Sequence, residues 1–170
     1  MEYLDVYNEK KELLGKTIVR TKEKPVLGPN EFIRIILIFI QNSNDELLIQ
    51  YTSERKGNLW ATTGGLVSAG DTSEKTVVKE VSEELGIDIS SEDYKYIGDY
   101  KKGVAFFDIY YLKKDIDIDS LRVEPDEVDH VEWLTFDEID NLISEDKFRP
   151  GNIPGLNLLK EYLNSKKISK

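Results

Sequence analysis

Three carboxylates, Glu80, Glu83 and Glu84, are the residues whose type and spacing first suggest chemistry. They fall in residues 64–87, GGLVSAGDTSEKTVVKEVSEELGI, where a glycine pair and a polar loop lead into helical periodicity. On a helix over residues 72–85, turning about 100° per residue, Val77, Val78, Val81 and Leu85 share an arc that can face a core. Glu80, Glu83 and Glu84 share another, and their i,i+3 and i,i+4 spacings put them within reach of one point. Asp71 or Thr72 can cap the start, with Glu74 completing a box-like arrangement after Asp71, and Gly86 sits where a left-handed stop is wanted. Carboxylates so placed repel one another. They form either a solvated acidic face, the commoner arrangement for this spacing alone, or the ligands of a hard divalent cation. Oxygen donors suit magnesium, manganese or calcium. Zinc would ask for His or Cys, and the chain has 1 His and 0 Cys.

The elements that position these residues come from a chain of 170 residues, enough for one domain with a sizeable core. Hydrophobic content of 39% and charged content of 33% describe a globular chain rather than a disordered one. A net charge of −10 argues against non-specific attraction to nucleic acid or anionic membranes, so neither is an expected partner. It also means that an anionic phosphate substrate needs local cations. No apolar run is long enough for a spanning helix, and MEYLDVYNEKKELLG lacks the apolar centre of a signal peptide. Without cysteine there is neither a disulfide nor thiol catalysis, and the expected address is cytoplasmic.

Along the chain, residues 1–30 read as an N-terminal hairpin and loop, with strands near 3–7 and 16–20 and breakers at Pro25, Gly28 and Pro29. FIRIILIFI, residues 32–40, is β-branched and nearly all apolar, the mark of a strand buried on both faces. Arg34 interrupts it, and a charge there must be paired or must open onto a cleft. Residues 46–52 complete a hairpin. A polar loop with Arg55 and Lys56 then precedes LWATTGG, in which Trp60 reads as core sooner than as a ligand-stacking ring. A second hairpin spans 94–100 and 104–112, its alternation setting Phe106, Asp108 and Tyr110 opposite Phe107, Ile109 and Tyr111. Residues 113–124 read as a charged, mobile loop. A strand over 128–135, helices over 136–143 and 156–164, and a frayed tail from 165 complete the chain. His130, alone in a strand, is assigned no catalytic role.

Residues 64–87 resemble the Nudix box, G-x5-E-x7-R-E-U-x-E-E-x-G-U with U a bulky aliphatic residue. Gly65 matches the first glycine, Asp71 stands at the first glutamate and Lys79 at the arginine. Glu80, Val81, Glu83, Glu84, Gly86 and Ile87 then match in order. The leading phrase LDVYNEKKELLG is similar to the hairpin of the isopentenyl-diphosphate isomerase-like branch of that superfamily. The resemblance implies an α/β/α sandwich with a mixed β-sheet, in a single domain over residues 1–170. It also implies attack of water on a diphosphate linked to another group, with Mg2+ or Mn2+ required.

Carried over residue by residue, Glu80, Glu83 and Glu84 are the metal ligands, with the carbonyl of Gly64 or Gly65 beside them. Arg34 and Arg55 are candidates for the substrate phosphates, and Glu124, Asp126 or Glu127 for the base or an extra ligand. Lys79 keeps the charge of the usual arginine without its planar fork, and Asp71 is one methylene shorter than the usual glutamate. The expected partner is a small phosphorylated molecule whose leaving group stays open: a nucleoside triphosphate, a nucleoside diphosphate sugar, a dinucleotide polyphosphate or ADP-ribose. Pairing as a homodimer is also implied. Two alternatives stand beside this. An isopentenyl-diphosphate isomerase would need a cysteine and a histidine-rich metal site, and WATTGG occupies the cysteine's region. A non-catalytic nucleotide-binding module would have no need to keep all three glutamates.

Overall fold

The structure, a computed structural model, describes residues 1–168. β1 (Tyr3–Tyr7) and β2 (Leu13–Val19) form an antiparallel ribbon of their own. β2 starts earlier than the expected residue 16 because Gly15 is no breaker here. At φ 74° it sits within the register shift between Asp5 and Tyr7, where a left-handed residue lets the strand bulge and continue.

The main sheet is mixed. Its strands are β3 (Ile33–Gln41), β4 (Leu47–Thr52), β5 (Trp60–Ala61), β6 (Thr63–Leu66), β7 (Lys95–Lys102), β8 (Ala105–Lys113) and β9 (Val128–Leu134). They run in the order β5-β4-β3-β8-β7, with β6 paired to β3 and β9 to β4. β3 and β8 are parallel in unbroken register from Ile33↔Ala105 to Gln41↔Lys113, while β3–β6, β4–β9 and β7–β8 are antiparallel.

Three helices cover the sheet: α1 (Ser73–Leu85), α2 (Phe136–Ser144) and α3 (Ile153–Ile168). The period of 2 along β3 explains the layering. Ile36, Ile38 and Ile40 pack with Val77, Val81 and Leu85 of α1, whereas Ile33, Leu37 and Phe39 pack with Ile139 of α2 and Leu156 and Leu159 of α3. Each of these buried apolar side chains contributes about 2 kcal/mol. The result is the expected α/β/α sandwich. In β8, Tyr110 falls on the α1 side and Phe107, Ile109 and Tyr111 on the other, as the alternation of VAFFDIYYL requires.

Two expectations need correction. Residues 113–124 are not a loose loop: Ile116, Ile118, Leu121 and Val123 pack against the α1 core, and a 3-10 turn spans Ile118–Ser120. The N–H groups of Arg122 and Glu124 also donate to the Leu85 and Glu84 carbonyls at the end of α1. α3, in turn, is longer than residues 156–164 at both ends. Pro154 lies in its first turn, where a missing N–H breaks no helical bond. A Cβ at Gly155 would stand 3.1 Å from Ile109 Cδ1, so glycine lets α3 approach β8. Residues 165–168 of the expected frayed tail are helical, and Ser169 and Lys170 lie outside the described residues.

Candidate active site

α1 carries the carboxylates and its ends are set by local chemistry. Thr72 is the N-cap, its side chain accepting from the Lys75 N–H at 3.1 Å, and Gly86 ends the helix at φ 72°. The cap is therefore Thr72 alone. Asp71 precedes it, its N–H donating to the Ser68 carbonyl and its carboxylate 4.0 Å from Lys75 Nζ.

Val77, Val81 and Leu85 are fully buried, and the glutamates are graded in depth: Glu83 exposed, Glu80 half-buried, Glu84 6% exposed. All three line a cavity of about 1170 Å³ together with Gly64, Gly65, Glu124 and Glu127. The carboxylates of α1 reach this cavity past β6, and Gly65 is what lets them. A Cβ there would stand 2.5 Å from Glu80 Oε1 and 2.8 Å from Glu80 Cγ.

Burial pushes Glu80 up to about 7, the neighbouring Glu83 charge adding to the rise while Arg20 and Lys79 oppose it. Burial likewise pushes Glu84 up to about 8, helped by Glu80 and opposed by a hydrogen bond from Gln50 Nε2 to Glu84 Oε2 at 3.1 Å. Two desolvated carboxylates one helical turn apart are thus held where each disfavours the other's ionisation. Among the described residues no three acidic or histidine side chains already stand close enough to coordinate an ion. The donor set still fits a hard divalent cation: it is all oxygen, it is partly dehydrated, and its internal repulsion is what a cation would relieve.

Across the cavity Glu127 is held by Lys56 Nζ at 2.9 Å, with Arg55 Nη2 at 3.7 Å. The segment that bears it is fixed by backbone bonds, Glu127 N–H to the Glu124 carbonyl and Ser53 N–H to the Glu127 carbonyl. Arg55, Glu124 and Glu127 all line the cavity. Arg20 was not foreseen. It lines the cavity from just beyond β2, bonds Glu2 Oε2 at 3.0 Å, and is the main cationic influence on Glu80. Gln50, whose Oε1 accepts from Thr63 Oγ1 while its amide holds Glu84, was also missed. The signal was there: a glutamine inside the apolar strand LLIQYT needs a polar partner.

The expectation for Arg34 is corrected. Its neighbours Ile33 and Ile35 line the cavity, so strand parity turns Arg34 to the opposite face. There it forms an ion pair with the fully buried Asp108, and its Nε donates to Asp108 Oδ2 at 3.0 Å. Asp108 also accepts from Lys11 Nζ at 2.6 Å and from Ser73 Oγ, at the start of α1, at 2.6 Å. Burial alone would raise the Asp108 pKa. The bonds from Lys11 and Ser73 and the Arg34 charge overcome that and hold it below the usual range.

Lys79 does not border the cavity. Its Nζ lies 3.9 Å from Glu2 Oε1, so it acts on Glu80 only as a nearby charge. His130 meets Asp129 through Nδ1 at 2.6 Å and packs against Tyr51 and Trp60, with ring centroids 5.2 and 5.4 Å away. Trp60 is half-buried in that cluster and packs on the α2–α3 core.

Comparison with known proteins agrees with this fold. The NUDIX domain profile matches residues 31–156. The chain is 33% identical over 156 residues to an uncharacterized Nudix hydrolase of Listeria monocytogenes, covering 88% of this chain and 89% of that protein. It is 25% identical over 118 residues to the NAD-capped RNA hydrolase NudC of Mannheimia succiniciproducens, covering 67% of this chain but 42% of that protein. Among solved structures, DR0079 from Deinococcus radiodurans superposes with a TM-score of 0.77 at 25% identity, over 94% of this chain and 98% of that one. The chain belongs to the Nudix hydrolase family, and hydrolysis of pyrophosphate bonds is the general chemistry of that class. Among the described residues no helix is long and apolar enough to cross a membrane.

Proposed function

We propose that this chain hydrolyses the pyrophosphate linkage of a nucleoside-diphosphate-linked small molecule, with Mg2+ or Mn2+, in the cytoplasm. The observation that carries the reading is the pair Glu80 and Glu84, both desolvated at the wall of one large cavity, with Glu80 lying against Gly65. Glu80, Glu83 and Glu84 would hold the cation, with the backbone of Gly64 as a further donor. Bound there, a divalent ion neutralises phosphoryl oxygens and lowers the pKa of a coordinated water.

The remaining work falls to the chain's own groups. Arg20 and Arg55 border the cavity and attract the polyanionic substrate into a protein whose net charge would repel it. Glu127, fixed by Lys56, takes the proton of the attacking water, and Glu124 beside it supports the same wall. The water oxygen bonds to phosphorus, the bridging P–O bond breaks, and the departing phosphate keeps the bridging oxygen. A screen over nucleoside triphosphates, nucleoside diphosphate sugars, dinucleotide polyphosphates and ADP-ribose, read by chromatography of the nucleotide products, tests this with each metal. Turnover in the wild type and its loss in E84Q support the reading. Turnover of none of them, or full activity in E84Q, contradicts it.

A further inference from the structure

A second, smaller chamber of about 350 Å³ adjoins the large cavity. It shares Gly64, Gly65, Glu84 and Glu127 with the large cavity, so the two meet at the site of hydrolysis. Arg149 and Asn152, from the segment just before α3, line it and do not line the large cavity. Arg149 is fixed in place: its N–H donates to the Trp60 carbonyl at 2.8 Å, and its Nη2 donates to the Lys56 carbonyl at 2.8 Å. Asn152 is fixed too, its Oδ1 accepting from the Thr62 N–H at 2.9 Å.

The guanidinium is nonetheless incompletely bonded. Arg149 Nε is the one buried side-chain nitrogen or oxygen among the described residues without a hydrogen-bond partner. Glu84 and Glu127 act on this cation through space, yet neither forms an ion pair with it among the described residues. An unsatisfied buried donor costs about 1–3 kcal/mol, more for a charged group. A guanidinium presents two parallel N–H groups to phosphate oxygens. The chamber, at the small end of the about 300–1,000 Å³ range of ligand pockets, has room for a phosphoryl group together with part of the group it is attached to.

We infer that Arg149 is a substrate-binding residue whose guanidinium holds the non-bridging oxygens of the phosphoryl group on the far side of the scissile linkage. The inference rests on the pyrophosphohydrolase reading above, and it adds a requirement: the substrate carries a phosphate seated in the smaller chamber. Hydrolysis then leaves the phosphate group of a phosphomonoester product on Arg149, and inorganic phosphate is the simplest probe of that contact.

The test is inorganic phosphate binding to the metal-free protein by 31P NMR or calorimetry, in the wild type, R149Q and R149K, beside KM and kcat with the best substrate from the screen. Loss of a charge-assisted pair predicts a tenfold or greater weakening of phosphate binding in R149Q, with a raised KM. R149K, which keeps charge but not the fork, is expected to fall between. A purely structural role would lower the melting temperature and leave phosphate affinity and KM unmoved. Should R149Q fail to fold, R149K alone decides: unchanged phosphate affinity overturns the inference. So does a wild type that binds no phosphate. An active wild type with phosphate affinity indifferent to residue 149 removes this inference alone. An inactive wild type removes the hydrolase reading.

Discussion

Gly65 and the Glu80 carboxyl occupy adjoining space: a methyl group on Gly65 would stand 2.5 Å from Glu80 Oε1. What it would strike is the far end of a flexible side chain, so the fold can absorb it while the carboxylate moves. G65A is expected to melt near the wild type and to lose tenfold or more in turnover, since misplacing a reacting group by an ångström costs about a hundredfold. G64A behaves differently. Its Cβ would meet the Ile36 backbone carbonyl and Leu37 Cδ2 at 2.6 Å, inside a packed strand pair. It is expected to destabilise by about 1–3 kcal/mol. Equal melting temperatures for the two variants, read by calorimetry, would contradict this division.

Glu80 and Glu84 also set a pH dependence. Both have folded pKa values raised above the ordinary 4.5, to about 7 and about 8. Between those limits the folded state binds more protons than the unfolded one, so their contribution to stability falls as pH rises from about 4.5 through 8. In chelator, the wild type is expected to lose melting temperature across that window relative to an E80Q/E84Q double variant. A double variant that parallels the wild type from pH 5 to 8 would show that neither group is desolvated as described. Asp108, held below its usual range, works in the opposite sense, and its contribution disappears only in acid.

Arg34 separates a structural from a substrate role. Its partner Asp108 is wholly buried and also holds Lys11 from the hairpin and Ser73 from α1. Removing one member of a buried pair costs about 3–5 kcal/mol. R34Q and D108N are therefore expected to unfold at lower denaturant, while KM measured where both remain folded stays near that of the wild type. A KM effect in R34Q without loss of stability would return Arg34 to the substrate.

The contrast between what was legible and what was not is physical. The box helix was readable because its apolar period, cap and left-handed stop are local, and Glu80, Glu83 and Glu84 share one cavity wall in consequence. β3 was readable as doubly buried, but the two-residue period alone decided where Arg34 points, and its partner lies 74 positions away. Arg20, Gln50 and Arg149 lie outside the box, and only the fold gathers them, from the end of β2, from β4 and from the segment before α3, around one chamber. In residues 113–124 the charges obscure the spacing of Ile116, Ile118, Leu121 and Val123, which pin the segment to the α1 core. Pro154 and Gly155 looked like a break and are instead the first turn of α3.

The measurement closest to the central claim is calorimetric titration of Mn2+ into the metal-free wild type and into E80Q and E84Q, at pH 6 and pH 8. The wild type is expected to bind with an affinity that rises over this interval, as carboxylates with pKa values near 7 and 8 give up protons to the ion. Each variant is expected to bind at least tenfold more weakly, with a smaller pH dependence. Equal cation uptake by wild type and variants, or no uptake by any of them at millimolar Mn2+, would contradict the account.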